Sequence, residues 1–147
     1  MSVSRTHGAA GCCAAETVAV FLVSWLAGLG AYAGSLGLFY GETISSGDLY
    51  AVCFWSLISF GLAFFALYLP VLFGVRRILH GIRPLWAFPI VAALLGVAPT
   101  AAICFFFGGG VYSMLSPEAA LFYAMFGVAG VVVGLGYAFI RRHDPAA

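Results

Sequence analysis

Lysine is absent from this chain: its six basic residues are all arginines, and only five acids oppose them. Charged residues make up 7% of the 147, whereas a soluble domain carries about 25%. So few charges cannot cover a surface that faces water on every side, which excludes an ordinary soluble globular domain. No basic stripe interleaved with stacking aromatics is present, which argues against nucleic-acid binding.

The apolar runs are nearly free of ionisable groups. No Asp, Glu, Lys or Arg lies near the middle of any of them, whereas ion-coupled carriers need a titratable group at depth. His7, His80 and His143 all lie outside the runs, so no histidine pair can ligate a haem between helices. No Cys-x-x-Cys occurs among Cys12, Cys13, Cys53 and Cys104, and two of these sit in apolar runs. Neither a redox motif nor a disulfide framework is expected. The adjacent Cys12–Cys13 would suit a soft metal or a palmitoyl chain, but reads more simply as small apolar filler. Nothing calls for a cofactor, and no catalytic constellation marks an enzyme.

What is abundant is apolar surface: 64% of residues are hydrophobic and the mean hydropathy is +1.11. Four apolar segments, about 17–40, 49–75, 85–107 and 119–140, each exceed the roughly 20 residues a helix needs to cross a bilayer. The expected fold is a single all-α integral membrane domain over 1–147, a four-transmembrane-helix bundle. Its organising stretch is the basic turn from Val75 to Pro84, which holds Arg76, Arg77 and Arg83. Arg5 precedes the first segment, and Arg141 and Arg142 follow the last. An even number of crossings places all six arginines on one side, with both termini cytoplasmic if arginine bias sets orientation. Glu42, Asp48 and Glu118 then face the other side. The expected location is a bacterial plasma membrane.

Local signals divide the segments. Residues 1–13 are expected to be loosely ordered. Ala31-Tyr32-Ala33 resembles a signal-peptide cleavage site, but the apolar region is too long, and the first segment is read as a retained span. Ser46-Gly47-Asp48 offers N-caps for the second span, and Pro70 predicts a bend near its end. Pro84 suits the first position of the third helix, Trp86 the membrane interface, and Gly108-Gly109-Gly110 the helix end. Ser116-Pro117-Glu118 reads as N-cap, first residue and first-turn acid of the fourth. The two hairpins echo each other faintly, either as a duplicated repeat or because caps and basic flanks recur in any such hairpin.

Candidate sites are few. Small residues at four-residue spacing form ridges that let helix backbones approach closely in lipid. They are Gly30/Gly34 and Gly37/Gly41, Ala92/Gly96/Thr100, and Gly130/Gly134/Ala138. Gly96, Pro99 and Thr100 mark an irregularity in the middle of the third span, where a freed carbonyl and a hydroxyl could hold a cation or merely accompany a kink. Glu16 is read as an interfacial acid at a helix start, or as a site residue if the first span begins nearer Gly8. Tyr40, Tyr50, Tyr112 and Phe105-Phe106-Phe107 are expected at the headgroup boundary. Phe64, Phe65 and Tyr68 would line a lipid or quinone groove, or simply pack in a core or against lipid. The resulting expectation is a non-enzymatic accessory or scaffold component that meets lipid and either other membrane subunits or its own copies. The alternative is a homo-oligomeric channel or small-solute transporter at the third-span kink.

Overall fold

The computed structural model describes residues 6–78 and 86–143, with side chains described over 15–75 and 86–140. Arg5, His80, Arg83 and Pro84 lie outside the described residues, and with them most of the basic turn and the role expected of Pro84. Every regular element among the described residues is helical. Four helical segments, Ala15–Tyr40, Ser46–Val75, Ala87–Gly108 and Pro117–Ile140, are long and apolar enough to cross a membrane.

The first helix, α1, runs unbroken over Thr6–Tyr40. The expectation of a loosely ordered start is therefore corrected from Thr6 onward. Residues 6–15 contain four alanines, the best helix former, and hold no proline to stop propagation. Its 35 residues give a rod of about 52 Å, well beyond one bilayer crossing. Gly41, at φ 66°, turns the chain out of α1, so the Gly37/Gly41 pair is not a helical ridge.

The second span begins as α2, Ser46–Ala63. Its N-cap is Ser45 rather than the expected 46–48 triplet: the Asp48 amide donates to Ser45 Oγ at 3.2 Å. A π turn, Phe64–Tyr68, follows, and α3, Leu69–Ile78, completes the rod. The irregularity predicted from Pro70 thus takes the form of a π turn directly upstream, closed by a Leu69 N–H to Phe64 carbonyl bond. Its consequence is one of register. At 3.6 residues per turn, each four-residue step overshoots by about 40°, so an i, i+4 stripe drifts around a regular α-helix. The wider i→i+5 turn takes back part of that drift. Phe60, Phe64, Tyr68 and Leu72 accordingly all stay buried, at 0–2% exposure.

The third span, α4, covers Ala87–Gly108 and continues through Pro99. Gly109 closes it in the left-handed conformation at φ 97°, its N–H donating to the Phe105 carbonyl. A four-residue helix, α5 (Val111–Met114), bridges to α6, Pro117–His143. Ser116 caps α6 by accepting from the Ala119 amide at 3.1 Å. Tyr123 of α6 holds the bridge by donating to the Met114 carbonyl at 2.9 Å.

The fourth span, α6, lies between α1 and α4 and packs closely along both. Gly134 faces Phe88 and Pro89, Gly130 faces Ala92, and Gly96 faces Phe126. Each four-residue step along α4 is answered by four residues back along α6, the interlock of antiparallel ridges. On the other flank Gly28 meets Met125 and Ala129, and Gly136 meets Val20. The second span stands off behind aromatics instead. Phe21 of α1 lies 5.4 Å from Phe60 and 5.2 Å from Phe64 between ring centroids. In a bilayer, lipid would offer no solvophobic reward for helix contact, and close packing with a few hydrogen bonds would hold such spans together.

Candidate functional site

The third-span irregularity is the first place where chemistry was expected. Pro99 has no N–H for the Leu95 carbonyl. The Thr100 hydroxyl turns back along its own helix and donates to the Gly96 carbonyl at 3.0 Å. Gly96 itself is closed over: a Cβ there would sit 2.5 Å from the Phe126 carbonyl oxygen and 2.6 Å from the Tyr68 hydroxyl. Gly96, Pro99 and Thr100 thus sit in a continuous helix, with Gly96 sealed by two neighbouring spans. The Tyr68 hydroxyl beside it is buried and has no hydrogen-bond partner among the described residues, and the Tyr137 hydroxyl shares that condition. Phe64, Phe65 and Tyr68, considered for a groove, do not share one surface. Phe64 and Tyr68 are core residues, whereas Phe65 is 65% exposed.

Glu16 lies elsewhere, at the arginine-rich end. It is the eleventh residue of α1 rather than a helix start, so the reading of it as an acid at a helix N-terminus is overturned. The cause is the alanine-rich run before it, which carries the helix back to Thr6. Its exposed carboxylate edges a groove of about 680 Å3 between α1 and α6. Ala19, Val20 and Val23 form one wall, and Val132, Leu135 and Phe139 the other. Gly136 lies between them against Val20, and Trp86 borders the same end. Among the described residues, no group of three or more His, Cys, Asp or Glu side chains comes together to hold a metal.

The small-residue ridges divide into two kinds. Gly130 and Gly134 lie against the backbone of α4, where there is no room for a side chain. A Cβ on Gly30 or Gly34 would meet nothing among the described residues within 4 Å. Ala33 and Gly37 are exposed beside them, so about a third of the helix circumference carries only small residues.

Sequence reasoning missed one polar contact between spans. Trp25 Nε1 donates to Ser56 Oγ at 3.1 Å, and that hydroxyl donates to the Cys53 carbonyl at 3.2 Å, tying α1 to α2. A serine inside an apolar run signals a hydrogen bond to some carbonyl, but its tryptophan partner depends on how the helices face. The groove was equally hidden, because its walls are ordinary Val, Leu and Phe.

Comparison with known proteins adds no relative: no protein-family profile, no curated protein and no solved structure matches the chain.

Proposed function

We propose that this chain is a non-enzymatic accessory or scaffold component of a membrane complex, docking a partner helix on the outer half of α1. The observation that supports it is the open small-residue face at Gly30, Ala33, Gly34 and Gly37. Glycine inside a helix costs about 1 kcal/mol relative to alanine, and a lipid-facing position gains nothing from it. Elsewhere the same residue type admits a neighbouring backbone, as Gly28, Gly130 and Gly134 do. A helix from another subunit, or from a second copy, would use the vacant face in the same manner.

The competing reading, a channel or carrier at Gly96–Pro99–Thr100, has less behind it. The Thr100 hydroxyl is engaged by Gly96, and that glycine is covered by Phe126 and Tyr68. Mass measurement of the complex in mild detergent separates the two. The docking reading expects co-purifying subunits or a homo-oligomer, lost in Gly30→Leu/Gly34→Leu with the helix content of the dissociated chain unchanged. A lone chain in the native preparation removes the docking reading. A homo-oligomer that conducts ions in vesicles replaces it with the channel.

A further inference from the structure

The second span is held differently on the two sides of its π turn. Upstream, the Ser56 hydroxyl accepts from Trp25 Nε1 at 3.1 Å, a hydrogen bond that ties α2 to α1. Downstream, over Leu69–Val75, ring packing takes its place: Phe73 meets Tyr137 of α6 edge-on, 6.2 Å between centroids. The close backbone approach that joins α6 to α1 and α4 is not repeated here. A Cβ on Gly61 would stop 3.9 Å from the Phe21 ring, and one on Gly74 would meet nothing among the described residues within 4 Å. An i→i+5 turn is a place where helices bend. The turn at Phe64–Tyr68 therefore separates an anchored half from a loosely held one.

The seam that this half closes holds two polar atoms whose bonds are unmet. Tyr68, the last residue of the π turn, brings its hydroxyl against Gly96 of α4, 2.6 Å from where a Cβ would sit. Tyr137 of α6 meets Phe73 on one side and Phe88 of α4, at 5.4 Å, on the other. Both hydroxyls are buried without a hydrogen-bond partner among the described residues. Such groups are few in native structures, because burial strips away their water and returns nothing. Here both fall where the second span meets α4 and α6. Parting that seam would rehydrate the two hydroxyls together, and it would separate no glycine-packed backbones. Water is near, since Tyr137 lies four residues before Arg141, where the apolar run of α6 ends.

We propose that Leu69–Val75 is a gate that swings about the π turn, and that its opening admits water to the Tyr68 and Tyr137 hydroxyls. The closed state is the one described above. Packing of Phe64, Tyr68 and Leu72 into the core favours closure, and the two dry hydroxyls favour opening, so the two states are set against each other within one seam. The device is independent of the docking face on the outer half of α1.

The test uses the full chain in lipid nanodiscs, with Cys12, Cys13, Cys53 and Cys104 replaced by alanine and spin labels on introduced cysteines. Gly74→Cys with Ile90→Cys spans the gate, and Gly47→Cys with Leu38→Cys reports on the anchored half. A Cβ on Gly74 or Gly47 has open space among the described residues, and Ile90 and Leu38 are exposed, so the labels disturb no packing. Pulsed electron-spin distance measurement should give two separations for the gate pair and one for the other. Tyr68→Phe removes one of the two reasons to open and should cut the longer-distance population about fivefold, the ratio that one unmet hydrogen bond commands. Tyr137→Phe should do the same, and it carries the test alone if Tyr68→Phe fails to fold. A single distance for the gate pair overturns the proposal, as does a longer-distance population that neither variant lowers. A second distance appearing equally in the anchored pair also overturns it, because the span would then move as a whole and the π turn would not be its hinge.

Discussion

Replacing Gly134 tests how the bundle is held. A Cβ at Gly134 would lie 2.5 Å from the Phe88 carbonyl oxygen and from Pro89 N and Cα, against the 3.4 Å at which ordinary contact begins. These are backbone atoms, so no side chain can rotate away, and α4 and α6 must part by roughly 1 Å over that turn. A gap of about 0.5–1 Å forfeits a quarter to a half of each dispersion well along the opened face. Overpacking of this kind costs about 1–3 kcal/mol, offset by up to about 1 kcal/mol from alanine's better helix propensity. Gly134→Ala should thus lose about 1–2 kcal/mol, and Gly134→Leu should lose the native packing altogether. Gly30→Ala is the matched control. In the dissociated chain, with nothing among the described residues within 4 Å, it feels only the propensity gain and should hold or rise by up to about 1 kcal/mol. Thermal unfolding in detergent, followed by near-ultraviolet circular dichroism, reads both. If Gly134→Ala melts with or above Gly30→Ala, the close α4–α6 approach is not what stabilises this protein, and the argument fails.

Four further outcomes follow from particular contacts. Tyr68→Phe removes a buried hydroxyl that has no partner and should stabilise the fold by about 1 kcal/mol; a loss of similar size would mean the hydroxyl is bonded. Trp25→Phe and Ser56→Ala delete the same α1–α2 bond, and a double-mutant cycle should give a coupling near 0.6 kcal/mol, the average for membrane helices; zero coupling would dismiss the bond. Thr100→Val keeps the shape and drops the hydroxyl bond to Gly96, so melting should change by less than about 1 kcal/mol and vesicles should show no altered ion flux; a fall in flux would restore the channel reading. A cysteine at Thr43 should react with an impermeant thiol reagent from outside and one at Ser4 should not, the arginine bias setting the sides; Ser45 is avoided because its hydroxyl caps α2.

Much of the architecture was legible because its signals are local. Four long apolar runs, the capping serine Ser116 and the glycine helix end at Gly109 each depend on a handful of neighbouring residues. Failures came where neighbours in space decided. The start of α1 was read as loose because its residues are polar to small, yet its four alanines and its lack of proline let the helix continue. Pro70 flagged an irregularity but not its kind. A π turn rather than a plain kink is favoured there because it keeps Phe60, Phe64, Tyr68 and Leu72 on one face. That requirement appears only once all four are known to be core. Thr100 beside Pro99 left two readings open, a coordination site or a mere kink, and only the structure shows its hydroxyl donating one turn back to the Gly96 carbonyl.

The glycine ridges carry this point furthest. Gly30/Gly34 and Gly130/Gly134 are the same pattern, four residues apart in an apolar helix, and no property of either segment alone tells them apart. What differs is the neighbour: Gly130 and Gly134 lie against the α4 backbone, and Gly30 and Gly34 against nothing among the described residues. In water an open glycine face would simply be a poorly covered surface. In lipid, where apolar cover confers no advantage, its use lies in the backbone approach it permits. On the proposed docking reading the two ridges have separable roles, one holding the fold and the other available to a partner. Large side chains at the first should therefore lower stability at any protein concentration, while large side chains at the second should act only through association. A concentration series on Gly34→Leu distinguishes these directly. If its stability deficit is the same at every dilution, α1 meets no partner through that face and the accessory role loses its support.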